Sequence, residues 1–263
     1  MMKRLFTFMK FEQLSRVYVI CGVISLCILA LTLGYNAGTQ EVSGKSREIP
    51  IYCVKRDDKV VALSFDAAWG NEQTQQLIDI LAEYDVKTTF FIVGDWVKKY
   101  PQSVEALHNA GHEIMNHSDT HPHMAKLSKD EIRKQAKDCN DKIAAITGVM
   151  PNLFRAPYGE YNNEVILTLK SMGMHTIQWN IDSLDWQDLT PSQMMSRIVP
   201  KVVPGSIILF HNGGKYTPDV LPSLLRTLIS DGYKIVKVSE IIYYDNYIID
   251  HTGMQILKTS PQG

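Results

Sequence analysis

The chain has 263 residues, enough for one large core and close to what an α/β barrel uses as a single domain. Its formal net charge is -1 with acids and bases interspersed, so it lacks the basic footprint that duplex nucleic acid requires, which argues against a nucleic-acid partner. None of its four cysteines shows Cys-x-x-Cys spacing, which argues against a zinc knuckle or a disulfide framework and leaves open only a Cys53–Cys139 bridge.

In chain order, residues 1–16 carry Lys3, Arg4, Lys10 and Arg16 and precede "VYVICGVISLCILALTLG", residues 17–34, which holds no charge. That run is just long enough to cross a bilayer core, which takes roughly 17–25 helical residues, and it exceeds the roughly 7–15 apolar residues of a cleaved signal peptide. The expectation is an uncleaved transmembrane signal anchor over 17–34, with residues 1–16 cytoplasmic and the remainder extracytoplasmic. A cleaved signal peptide is the alternative, and it exports the same domain. Residues 35–50, polar and containing Gly and Ser, read as a flexible linker.

From Ile51 the sequence alternates short β-rich runs with helical patterns. "VVALSF", "TTFFIV", "HEIMN", "NLFR", "HTIQWNI", "SIILF" and "YKIVKV" are each followed by a helical segment, as in the spacing of Leu77, Ile80, Leu81 and Tyr84. Seven such repeats predict a parallel sheet covered by helices, most simply an α/β barrel or an incomplete one, over residues 51–244. Residues 245–263 read as a polar tail without a role.

The chemistry-bearing residues share one position in this pattern. Asp66 follows "VVALSF", His117 follows "HEIMN", Arg155 ends "NLFR", Asp182 and Asp185 follow "HTIQWNI", and His211 follows "SIILF". All fall at C-terminal strand ends, which converge on the rim where barrel enzymes keep their sites. In "HSDTH", His117 and His121 face the same way if the segment is a helical turn and can then share a metal; the spacing alone equally fits two solvated loop histidines. Arg155 in "RAPYG" can clamp a carboxylate bidentately or form a structural ion pair, and the amides after Pro157 can serve as oxyanion donors. A histidine such as His211, oriented by a carboxylate, is a proton donor near neutral pH. Tyr158 and Trp186 are candidates to wall a sugar pocket, whereas Trp179, inside its strand, reads as a core aromatic.

With "SFDAAWG", "HSDTH", "RAPYG", "DSLDW" and "LFH" in this order over about residues 59 to 240, the chain resembles the polysaccharide deacetylases of the NodB-homology type, carbohydrate esterase family four. The form "FDAAWG" and the single-pass N-terminus are most similar to its PdaB-like sporulation branch. The resemblance implies a distorted or incomplete (β/α) barrel of the NodB-homology type that hydrolyses N-acetyl groups from N-acetylhexosamine units of cell-wall glycan, generally with a divalent metal such as zinc. Carried over, Asp66 is the base that activates water, Arg155 orients it, His117 and His121 are metal ligands, and Asp185 tunes His211, the acid that protonates the leaving amine. Ala67 stands where the family usually has a second, metal-binding aspartate. Asp66 moving to the metal, Asp119 substituting, and a dispensable or absent metal all remain open. Three functions compete: a deacetylase with a weakened or absent metal site, a glycan-binding or morphogenetic protein without turnover, and a glycosidase pairing Asp66 with Asp182 or Asp185.

Overall fold

A computed structural model describes residues 47–258. The expected anchor over 17–34 lies outside the described residues, and among those residues no helix is long and apolar enough to cross a membrane.

The elements follow as β1 (Cys53–Val54), β2 (Val60–Ala67), α1 (Thr74–Glu83), β3 (Thr89–Ile92), α2 (Gly94–Lys99), α3 (Pro101–Asn109) and β4 (Glu113–Asn116). Next come α4 (Lys129–Thr147), β5 (Leu153–Phe154), α5 (Asn163–Ser171), β6 (His175–Thr176), β7 (Ile181–Asp182), α6 (Pro191–Ile198) and β8 (Ile207–His211). The chain continues through α7 (Thr217–Ser230), β9 (Lys234–Val236), α8 (Val238–Ile241), β10 (Tyr247–Ile249) and β11 (Met254–Leu257). The main sheet runs β6-β5-β4-β3-β2-β8-β7 with every pairing parallel, and β9 pairs with the first residues of β2. Among the described residues no ladder joins β6 to β7, so the barrel is incomplete.

The gap arises within the single strand expected at "HTIQWNI". The Gln178 amide bonds to the Ile51 carbonyl while the Asn180 amide bonds to that of Ile207, so the backbone changes partners at Trp179 and divides into β6 and β7. Period-two alternation along β2 sends Val61, Leu63, Phe65 and Ala67 into the outer core against the helices. Ala62 joins a separate inner cluster with Phe91, Met115, Ile177 and Ile207. Asp66 shares its side of the strand with Ala62 and Ser64, at the open end above that cluster.

Helix α4 shows how local sequence sets the frame. Ser128 and Glu131 form a capping box at its start, and Gly148 closes it with φ 71°. The C-terminal segment corrects the expectation of a tail: β10 and β11 form a hairpin, and β11 pairs in parallel with β1. Its turn is held by the Asp250 carboxylate, which accepts from the Thr252 and Met254 amides, and buried Gln255 bonds twice to the Tyr243 backbone. These strands are short and mixed in polarity, so neither periodicity nor composition marks them. Cys53 and Cys139 are both free thiols.

Candidate active site

The base and acid positions are brought together by register. Asp66, near the end of β2, and His211, the end of β8, are direct partners across adjacent parallel strands. Both line a cavity of about 730 Å³ together with His117, His121, Tyr158 and Trp186. The sequence-predicted set is thus assembled in one place, with buried Asp185 also lining the cavity and Arg155 buried behind Asp66.

Asp66 is buried, and its Oδ1 accepts from Arg155 Nη1 at 2.8 Å. The clamp differs from the bidentate one expected: Arg155 Nη2 donates instead to Ser64 Oγ (2.9 Å) and to the Gln178 carbonyl (3.2 Å). The guanidinium is fully buried, 4.1 Å from the Phe91 ring centroid and 5.5 Å from that of Trp179. Burial alone would raise the Asp66 pKa, but Arg155, then His117 and His211, outweigh it and hold the carboxyl below its ordinary value. Asp66 is therefore ionised across the neutral range.

His117 Nδ1 donates to the Arg155 carbonyl at 2.8 Å, which leaves Nε2 with its lone pair 3.6 Å from Asp66 Oδ2. Burial pushes the pKa of His117 down, and that of His121 down to about 4, so both are neutral imidazoles. "HSDTH" does not form a helical turn. The Asn116 side chain accepts the Ser118 amide, the Ser118 hydroxyl accepts the His121 amide, and Ser118 and His121 take φ of 69° and 59°. This bent turn still sets the two rings edge to face, 5.0 Å apart.

His211 Nδ1 meets Asp185 Oδ1 at 2.7 Å, while the His211 amide and the Thr217 hydroxyl both donate to Asp185 Oδ2. Burial lowers the His211 pKa, but the hydrogen bond and charge of Asp185, aided by Asp66 and Asp182, reverse this and raise it. Gly214 permits the closeness: a Cβ there would lie 2.6 Å from Asp185 Oδ2. Asp185 has both oxygens engaged and cannot act as the second carboxylate of a glycosidase. Asp182 caps its own turn through the Leu184 amide.

Around the rim, Tyr158, Leu184 and Asp188 have φ of 59°, 56° and 54°, strain of the kind that folds retain where a site requires it. Tyr158 and Trp186 are exposed and Trp179 is partly buried; all three line the cavity, so Trp179 serves both core and site. Of the amides after Pro157, those of Gly159 and Glu160 are bound within their own turn, to the Ala156 and Pro157 carbonyls, and are not free oxyanion donors. Sequence reasoning missed Ser64 and Thr217. Ser64 had a signal, a polar residue inside an apolar strand; Thr217, at a helix start, had none.

The fit to a metal can be judged from the donors. His121 Nδ1 is buried without a hydrogen-bond partner, and His117 Nε2 is its natural companion. Asp119, the suggested substitute, is paired with Lys142. Ala67 is fully buried and supplies nothing, and no group of three His, Cys, Asp or Glu able to hold a metal occurs among the described residues. Two imidazoles fall short of the three protein ligands of catalytic zinc.

The sequence model of the family described as polysaccharide deacetylase matches residues 54–177. The uncharacterised protein YlxY of Bacillus subtilis is 35% identical over 73% of this chain and 60% of its own length. The peptidoglycan-N-acetylmuramic acid deacetylase PdaC of the same organism is 34% identical over 72% of this chain and 40% of its own. This chain thus spans less than two thirds of the length of either relative. Among solved structures, BA3943 of Bacillus anthracis, a CE4 family pseudoenzyme, is 36% identical with a TM-score of 0.71, covering 74% of this chain and 69% of that one.

Proposed function

This chain belongs to the polysaccharide deacetylase family, and we propose that it removes N-acetyl groups from N-acetylhexosamine units of cell-wall glycan, with peptidoglycan the expected substrate. The carrying observation is the pairing of Asp66 with His211, two groups poised in opposite protonation states on facing positions of neighbouring strands. Amide hydrolysis needs both. Asp66 takes a proton from water as its oxygen attacks the acetamide carbonyl carbon; His211 gives the Nε2 proton to the leaving nitrogen as the C–N bond breaks, yielding acetate and a free amine. Asp185 holds the His211 ring by Nδ1, aiming Nε2 away from that contact. Arg155 fixes Asp66. The donors present among the described residues are too few to hold a metal, and the acid–base pair carries the reaction.

The incomplete donor set and the likeness to a pseudoenzyme favour one second reading, a glycan-binding protein without turnover. The two separate by measuring acetate released by the full chain from N-acetylated chito-oligosaccharides and from peptidoglycan, with added zinc, cobalt or a chelator. Release from either supports the deacetylase. Glycan binding with no release under any condition supports the second reading.

Ala67 provides a further test of the donor deficit. An aspartate at this fully buried position carries an uncompensated charge unless a cation meets it. Ala67→Asp is expected to melt below the wild type in chelator and to be raised by zinc by several degrees, with the wild type unmoved. An equal response of both proteins to zinc would show that position 67 does not face a metal.

The uncharged stretch over 17–34 behind a basic N-terminus supports placing this activity outside the cytoplasmic membrane, on a chain tethered to it. The form "FDAAWG" supports a place in sporulation.

A further inference from the structure

One tryptophan at the cavity mouth has no part in the acid–base machinery. Trp69, on the loop between β2 and α1, is 66% exposed, more than any other large apolar side chain among the described residues. Leaving an indole in water forgoes a large burial gain, so its position calls for a reason. The loop beneath it is pinned: the Gly70 carbonyl accepts from Trp96 Nε1 at 2.6 Å and from Asn212 Nδ2 at 2.8 Å, and both donor residues are buried. Gly70 itself takes φ 62°, a turn that favours glycine. The indole is therefore held out on a fixed support.

Its neighbours extend the surface. The Trp69 ring lies edge-on to His121 with centroids 4.9 Å apart, His121 meets Tyr158 at 4.6 Å, and Tyr158 stacks on His123 at 4.5 Å. Four rings are thus in contact one after another, and three of them, Trp69, His121 and Tyr158, line the cavity with Asp66. Glu72, Asp188 and Asn212 line the same cavity, so the surface is a mixture of ring faces and polar groups. That mixture suits a pyranose, whose C–H face is apolar and whose edge carries hydroxyls; an apolar protein surface would not match it.

We propose that Trp69 is the outer platform of a glycan track, stacking on a sugar beyond the one being deacetylated and so selecting oligomers over short fragments. This rests on the reading of the cleft as a glycan site.

The test uses the full chain as wild type, Trp69→Ala and Trp69→Phe, with binding of N-acetylchitobiose and N-acetylchitopentaose measured by calorimetry and acetate release followed in parallel. The wild type is expected to bind the pentaose more tightly than the biose. Trp69→Ala should lose about tenfold in pentaose affinity, the scale of a truncated aromatic anchor, with biose affinity and kcat at saturation unchanged, and Trp69→Phe should recover most of it. Unchanged pentaose affinity in Trp69→Ala, or an equal loss for both ligands, overturns the platform. If no protein releases acetate but the length-dependent loss persists, the platform stands and the deacetylase reading alone falls.

Discussion

Asp66→Asn should abolish acetate release, with a loss of about a thousandfold or more, because an amide cannot take the proton from the attacking water; general bases typically contribute 10²–10⁴-fold. The asparagine oxygen still accepts from Arg155 Nη1, so the local geometry is expected to persist. The buried guanidinium nevertheless loses its counter-charge, and stability should fall by a few kcal/mol, up to about 3–5. Acetate release and urea unfolding, read on the same preparation, separate the two effects. Near-normal release would place the base elsewhere.

Arg155→Met should be the most damaging single change to stability. It removes the ion-pair donor on Asp66 Oδ1 and leaves that buried carboxylate without its guanidinium partner, at a cost of about 3–5 kcal/mol at neutral pH. The pH dependence should also change. In the wild type the Asp66 pKa is depressed, so its contribution is present above the unfolded value of about 3.9 and is lost as pH falls through the lower folded value. In the variant the largest lowering influence is gone and burial is opposed only by His117 and His211, so the folded pKa rises relative to the wild type's and the variant's deficit shrinks as pH falls from 7 towards 4. Urea midpoints at pH 4 and 7 decide this. A deficit that is the same at both would mean that Asp66 is not held by Arg155.

What the sequence made legible follows from what periodicity encodes. The apolar runs mark strands, and parallel connectivity sends their C-terminal ends to one rim, so the sequence alone groups Asp66, His117, Arg155 and His211. Hydrogen-bond partners are a different kind of information. The switch at Trp179 that divides β6 from β7, the turn that brings His121 beside His117 with positive φ, and the preference of Arg155 for Ser64 over a second carboxylate oxygen all depend on contacts remote in sequence. Thr217 reaches Asp185 across 32 residues, and nothing local at a helix start announces it. Strand β11 escaped notice because its pairing with β1 joins segments far apart in sequence, at the two ends of the domain, and β10 is placed only by its pairing with β11.

The reduced donor set around His117 sharpens what Asp66 and His211 have to do. With both imidazoles neutral and no group of three metal-binding side chains among the described residues, the proton-transfer pair is the chemistry this chain shows most completely.

The most direct test of that pair is the pH dependence of kcat/KM for acetate release from N-acetylchitopentaose, in the wild type and in Asp185→Asn. A bell is predicted for the wild type. Its acid limb is set by Asp66, below the ordinary carboxylate range, and its alkaline limb by His211, above the ordinary imidazole value. Asp185→Asn removes the charge that raises the His211 pKa, so the alkaline limb should move to lower pH while the acid limb stays in place. An unmoved alkaline limb, or wild-type release no greater than that of Asp66→Asn, would contradict the assignment of base and acid.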